Sequence, residues 1–253
     1  MTALQENKGG EDGQEVQPSG IHEGVHGTQE VQDPFAGVSR KAFKFLPLYL
    51  LVPLLYFTLF ISMGYELNWK GFGLGALGWA AALFLRGPLS LLVQKWPKER
   101  AQNVIVSSSG VLEEGVRLML LILTSTSFTW AQSVGQGWAA IEVLFVIINV
   151  IMITVLLKRT DEKAIQAKEI LKAQGNMQAS PLWGILERIW ASAFHIGATL
   201  VISHSAWAVV LLIPLHSGLN LVAVRLSKSS MFGTNMLVAG VGLVTLAVGI
   251  LIF

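Results

Sequence analysis

From Phe43 onward the chain alternates long apolar runs with short polar breaks. A helix that crosses a bilayer needs ~20 predominantly apolar residues. Seven runs reach that length, at residues 43–63, 72–94, 104–124, 130–157, 182–203, 205–224 and 232–252. They predict an all-α fold, a polytopic membrane bundle of seven transmembrane helices. The fourth run is long enough to tilt or to project beyond the lipid. The third and fifth are the least uniformly apolar. Residues 1–39 are rich in Gly, Glu and Gln, with almost no apolar periodicity, which predicts a disordered tail. The expected organisation is therefore a tail over 1–39 and a membrane domain over 40–253. The tail has no basic start followed by an apolar core, so it does not read as a signal peptide. The polar stretch from Lys158 to Ser180 predicts a short amphipathic helix ending at Gly175. No internal repeat is visible.

Composition narrows the class. Hydrophobic residues make up 53% of the chain and charged residues 13%, against about 25% charged in soluble domains. An ordinary water-soluble enzyme is excluded. Cysteine is absent, which removes disulfides, a thiol nucleophile and any Cys-based metal site.

The net charge of +2 hides an asymmetry: residues 1–39 hold one Lys and seven acids, whereas residues 40–253 hold 17 basic and 9 acidic residues. The basic surplus sits in particular loops. Arg40, Lys41 and Lys44 precede the first run, and Lys95, Lys98 and Arg100 follow the second. Lys158, Arg159, Lys163, Lys168 and Lys172 follow the fourth, and Arg225 and Lys228 follow the sixth. The opposite loops hold Lys70. Positive loops stay cytoplasmic. The expectation is a multi-pass plasma-membrane protein with a cytoplasmic N-terminus and an external C-terminus. The surplus marks a membrane face, not a nucleic-acid site.

Several polar residues lie inside the apolar runs: Arg86, Glu113, Glu114, Arg117, Glu142, Glu187, Arg188, His195, His216 and Asn220. An ionisable group at mid-bilayer costs ~2.5–3.5 kcal/mol on insertion scales, so such groups face one another or a wet cavity and mark function. Glu113 and Glu114 lie four and three residues before Arg117, so either can pair with it. One arginine can hold one carboxylate and leave the other for chemistry; a buried ion pair that locks two helices is the structural alternative. Glu187, Ala191 and His195 follow one helix face, and so do His216 and Asn220. Two imidazoles with carboxylates suit a divalent metal, zinc above all, with a position left for water. At ~1.5 Å per residue, Glu113 lies about 14 Å, His195 about 20 Å and His216 about 12 Å from the cytoplasmic ends. Glu142 falls in the same layer. Arg86, in an Arg-Gly-Pro sequence, reads as a kink marker or a snorkelling residue. His204 reads as an outer loop residue, and His22 and His26 as tail residues.

Glu113-Glu114-x-x-Arg117, then Phe194-His195, then His216-x-x-x-Asn220, resembles the CPBP group of intramembrane proteases, which includes the type II CAAX prenyl proteases. The two-residue gap before Arg117 and the Glu187-Arg188…His195 segment are more similar to the YhfC-type intramembrane metalloproteases. The resemblance implies a hydrolase opening within the bilayer. In it Glu113 would activate water, with Glu114 and Arg117 in support. His195, His216 and Asn220 would bind the metal or the oxyanion. Glu142, Glu187 and Arg188, charged and within the same runs, are expected as supporting residues. The YhfC pattern places a His in a Gly-rich motif before the Glu of the fourth span. Here that stretch is Gly135-Gln136-Gly137-Trp138-Ala-Ala-Ile-Glu142, without His.

The expected activity is an intramembrane endopeptidase acting on a membrane-embedded protein or a lipidated, membrane-tethered peptide. The rivals are an inactive scaffold or immunity-type partner and a proton-coupled transporter.

Overall fold

The computed structural model describes residues 34–173 and 180–253. All regular structure among them is helical. The first span is built in three pieces: α1 (Pro34–Phe45), a 3-10 turn (Leu46–Leu50) and α2 (Leu51–Ser62). Pro47 and Pro53 lie at the starts of the second and third pieces, where a missing N–H costs nothing. The long helices follow: α3 (Trp69–Val93), α4 (Lys98–Leu123) and α5 (Phe128–Leu157). A short helix α6 (Glu162–Ala173) leads to α7 (Pro181–His204), α8 (Val209–Leu226) and α9 (Met231–Leu251). Caps set several starts. Asn68 Oδ1 accepts from Gly71 N at 3.0 Å, and Ser230 Oγ accepts from Gly233 N at 2.9 Å.

Six helical stretches are long and apolar enough to cross a membrane: Arg40–Ser62, Trp69–Val93, Phe128–Leu157, Pro181–His204, Ala206–Leu226 and Met231–Leu251. They mark a multi-pass membrane protein. The expected count of seven exceeds this by α4. That helix forms where its apolar run predicts it, but Glu113, Glu114 and Arg117 lower its hydropathy. Their side chains are buried while Val111, Met119, Ile122 and Leu123 face outward. So α4 carries its polar face inward and its apolar face out. Helix α1 begins at Pro34, inside the stretch expected to be tail. Residues 1–33, with His22 and His26, lie outside the described residues, and so does Gly175.

The packing follows the same inside-out logic. Phe84, Leu92, Leu123 and Trp207 are exposed, whereas sixteen polar or charged residues among those described are buried. Helix α7 is the most enclosed of the six spans. It packs against α5 and α9, α5 against α3, and α4 lies between α3 and α8. Small residues let the backbones approach. A Cβ on Gly110 of α4 would collide with Ile213 O and Ser217 of α8. At the same contact Ser217 Oγ donates to Ser107 O at 2.6 Å. Between α5 and α3, a Cβ on Gly137 would collide with the Phe72 carbonyl.

Candidate functional site

Five helices contribute to one buried polar cluster. On α4 Glu113, Glu114 and Arg117 point inward, and Glu114 and Arg117 have 0% exposure. Arg117 Nη1 pairs with Glu114 Oε2 one turn back. Its second nitrogen, Nη2, donates to Nδ1 of His195 on α7 at 2.9 Å. Its guanidinium stacks over the Trp138 ring of α5, 4.4 Å from the ring centre. One side chain thus ties α4 to α5 and α7.

Glu113 is held differently. Arg86 of α3 pairs with its Oε1, and Trp138 Nε1 donates to its Oε2 at 3.2 Å. Of the two readings of Arg86, snorkelling is corrected: its guanidinium turns inward to a carboxylate, because that carboxylate is within reach and lipid offers no partner. The four-residue spacing that allowed Glu113 to meet Arg117 is not used; the three-residue pair with Glu114 forms instead.

The histidines lie 5.4 Å apart between ring centres. Arginine has no acceptor, so His195 Nδ1 must accept from Arg117. The proton of His195 therefore sits on Nε2, which lies 2.7 Å from Glu142 Oε2. His216 has the opposite arrangement. Its Nδ1 lies 2.7 Å from Glu114 Oε1 and donates to that ionised carboxylate. Its Nε2 makes no hydrogen bond among the described residues. Phe194 packs edge-on against His216 at 4.9 Å and closes one side of the pair.

Glu142 continues the network. Its Oε1 accepts from Arg188 Nη1 at 2.5 Å, and Arg188 Nη2 donates to Glu187 Oε1 at 2.7 Å. Glu142, Arg188 and Glu187 thus form a chain one, two and three contacts from His195. Asn220 does not join them. Its Nδ2 donates to Ser109 Oγ of α4 at 2.7 Å, fastening α8 to α4 beside the cluster. His204, expected in a loop, is instead the last residue of α7, exposed and packed against Phe253.

A cavity of about 330 Å³ opens beside the cluster, with Glu113, Glu142, Arg86 and Arg188 on its wall. Glu113, His195 and His216 each offer one atom to a group whose members all lie within 4.8 Å of one another. That group could bind a metal ion. The donor set is one carboxylate and two imidazoles, as zinc sites use. Glu113 retains unused lone pairs, and His216 offers Nε2 while Glu114 orients its other nitrogen, the usual support for a metal-bound imidazole. His195 fits less directly, since Arg117 occupies Nδ1 and Glu142 faces Nε2.

No family model, curated protein or solved structure matches this chain. The likeness to the CPBP and YhfC-type proteases rests on the motif residues alone.

Three contributors escaped the sequence reading. Trp138 looks like one apolar residue among many on α5. Ser109 reads as a helix-interior serine. Tyr49, on the cavity wall, lies in a Leu-Pro-Leu-Tyr segment without charge. No signal in a single sequence sets these apart from packing residues.

Proposed function

We propose that the chain is an intramembrane endopeptidase that hydrolyses a peptide bond in a membrane-embedded or membrane-tethered substrate. One observation carries the reading: Glu113, His195 and His216 converge from three helices into a single buried group beside a cavity. In this reading α4 is the seventh crossing. At about 1.5 Å per residue it is long enough to span the lipid, and its charges are satisfied by neighbours. The basic loops then lie in the cytoplasm, with the C-terminus outside. The motif likeness to the YhfC-type and CPBP proteases agrees with this reading.

The residues divide the work. Glu113 takes a proton from water as the water oxygen attacks the scissile carbonyl carbon. It passes that proton to the amide nitrogen as the carbon–nitrogen bond breaks. A carboxylate has about four lone-pair sites; Arg86 and Trp138 engage two and leave others for this traffic. Arg86, on the cavity wall beside Glu113, supplies positive charge for the developing oxyanion. Glu113, His195 and His216 would hold a divalent cation, zinc by the chemistry of the donors. Such an ion supplies Lewis-acid polarisation and a more acidic bound water. A substrate helix must unwind locally to offer its carbonyl, because helical backbone in lipid is already hydrogen-bonded.

The bond from Arg117 to His195 favours a second reading, an inactive scaffold locked by ion pairs. The two are separated in lipid nanodiscs by metal content and by cleavage of a labelled transmembrane peptide. The peptidase reading expects about one zinc per chain, cleavage by the native chain, and loss of cleavage in a folded Glu113→Gln variant. Undiminished cleavage by Glu113→Gln would sink it. A chain with neither zinc nor cleavage belongs to the scaffold reading.

A further inference from the structure

The cavity beside the cluster is not electrically balanced. Three carboxylates line it, Glu113, Glu142 and Glu187, against two guanidiniums, Arg86 and Arg188. Arg86 is matched to Glu113. Arg188 is shared between Glu142 and Glu187. Glu142 also receives the His195 Nε2 proton. Glu187 has only its half of Arg188, and its side chain is 31% exposed toward the open space.

A second observation stands apart from this charge count. Tyr49 is 94% buried by its 6% exposure, yet its hydroxyl makes no hydrogen bond among the described residues. It lines the same cavity, over Gly184. It lies in the 3-10 turn Leu46–Leu50. Asn149 adds an amide to the wall. Trp79 and Phe145, 5.3 Å apart between ring centres, supply an aromatic surface.

We infer that this cavity is a subsite for a basic side chain of the membrane substrate, a Lys or Arg flanking its hydrophobic segment. The inference rests on the peptidase reading and adds the class of substrate. An ammonium has three donors and no acceptor; Glu187, Tyr49 and Asn149 offer acceptors in the cavity lining. The four-carbon stem of a lysine needs an apolar surface, and aromatic faces attract the charge. Membrane proteins carry Lys and Arg beside their cytoplasmic ends. Glu187 lies six residues into α7 from Pro181, on the side of the basic loops. The subsite therefore holds the cytoplasmic flank of a substrate helix, leaving its apolar segment toward His195 and Glu113.

The test is binding, read without turnover. Two fluorescent Leu/Ala-rich transmembrane peptides, flanked at one end by Lys or by Gln, are titrated against the full chain in phosphatidylcholine nanodiscs. The zwitterionic lipid removes the general attraction of basic peptides to anionic surfaces. The Lys peptide is expected to bind about tenfold more tightly, the 1.4 kcal/mol step of one charge-assisted contact. Glu187→Gln and Tyr49→Phe should each shrink that ratio. The peptide exchange on the native chain does not depend on any variant folding. Equal affinity for both peptides overturns the subsite. An unchanged ratio in both variants overturns its placement. Cleavage without Lys preference removes the subsite and leaves the peptidase; Lys preference without cleavage does the reverse.

Discussion

Arg117 donates from Nη2 to Nδ1 of His195 across 2.9 Å, from α4 to α7. Because the guanidinium only donates, this contact fixes the tautomer of His195, as Glu114 fixes that of His216. His195 carries its proton on Nε2 and His216 carries one on Nδ1, toward Glu114. Side-chain nitrogen NMR of the chain in nanodiscs should find the two histidines in opposite tautomers without metal. Adding zinc should shift the His216 Nε2 resonance and, if His195 becomes a ligand, remove its hydrogen bond to Arg117. Identical tautomers for the two rings would contradict the network.

Glu114 and Arg117 are both fully enclosed. Removing one member of a buried pair leaves an uncompensated charge and costs about 3–5 kcal/mol. Arg117→Met should therefore lower the melting temperature sharply. Adding Glu114→Gln should recover much of the loss, since coupled groups in one network are non-additive. Thermal denaturation of the two single variants and the double variant measures this. Additive losses would show that the pair does not stabilise the bundle.

Gly110 and Gly115 both lie on α4, five residues apart, and make a controlled comparison. A Cβ on Gly110 would strike α8, whereas nothing lies within 4 Å of one on Gly115. Gly110→Ala should destabilise by about 1–3 kcal/mol through overpacking. It should also weaken zinc retention, because the pair of Glu114 and His216 spans the same two helices. Gly115→Ala should be neutral or slightly stabilising, as alanine favours a helix. Melting temperature and metal content, measured on both variants, check the contrast.

Asn220 tests the motif likeness directly. Its amide is engaged with Ser109, so Asn220→Ala should cost about 0.5–1.5 kcal/mol for one hydrogen bond and leave metal content unchanged. A loss of zinc equal to that of His216→Ala would restore Asn220 to the ligand set.

The helices were legible because seven apolar runs of membrane length are hard to read otherwise. The runs at 130–157 and 182–203 agree with α5 and α7 to within two residues at each end. Most of the cluster was legible for the opposite reason: Glu113, Glu114, Arg117, His195 and His216 are costly in lipid unless they meet. The pairing was not legible. Helical spacing allows Arg117 either Glu113 or Glu114, and only the arrival of Arg86 from α3 decides between them. Trp138 is an amphipathic aromatic whose ring nitrogen shows its use, a bond to Glu113, only after the helices are assembled. Asn220 sits at a spacing that suits a ligand, and the closeness of α4 to α8 redirects it to Ser109.

The buried face of α4 has a consequence for how the chain is made. Glu113, Glu114 and Arg117 each resist transfer into lipid, and part of their compensation comes from His216, about a hundred residues later in translation. Arg86 and Arg117 are already present when α4 is complete, so the contact that waits for α8 is the one from His216. The cluster therefore closes in two stages, an earlier one among α3 and α4 and a later one when the helices after Pro181 have been made.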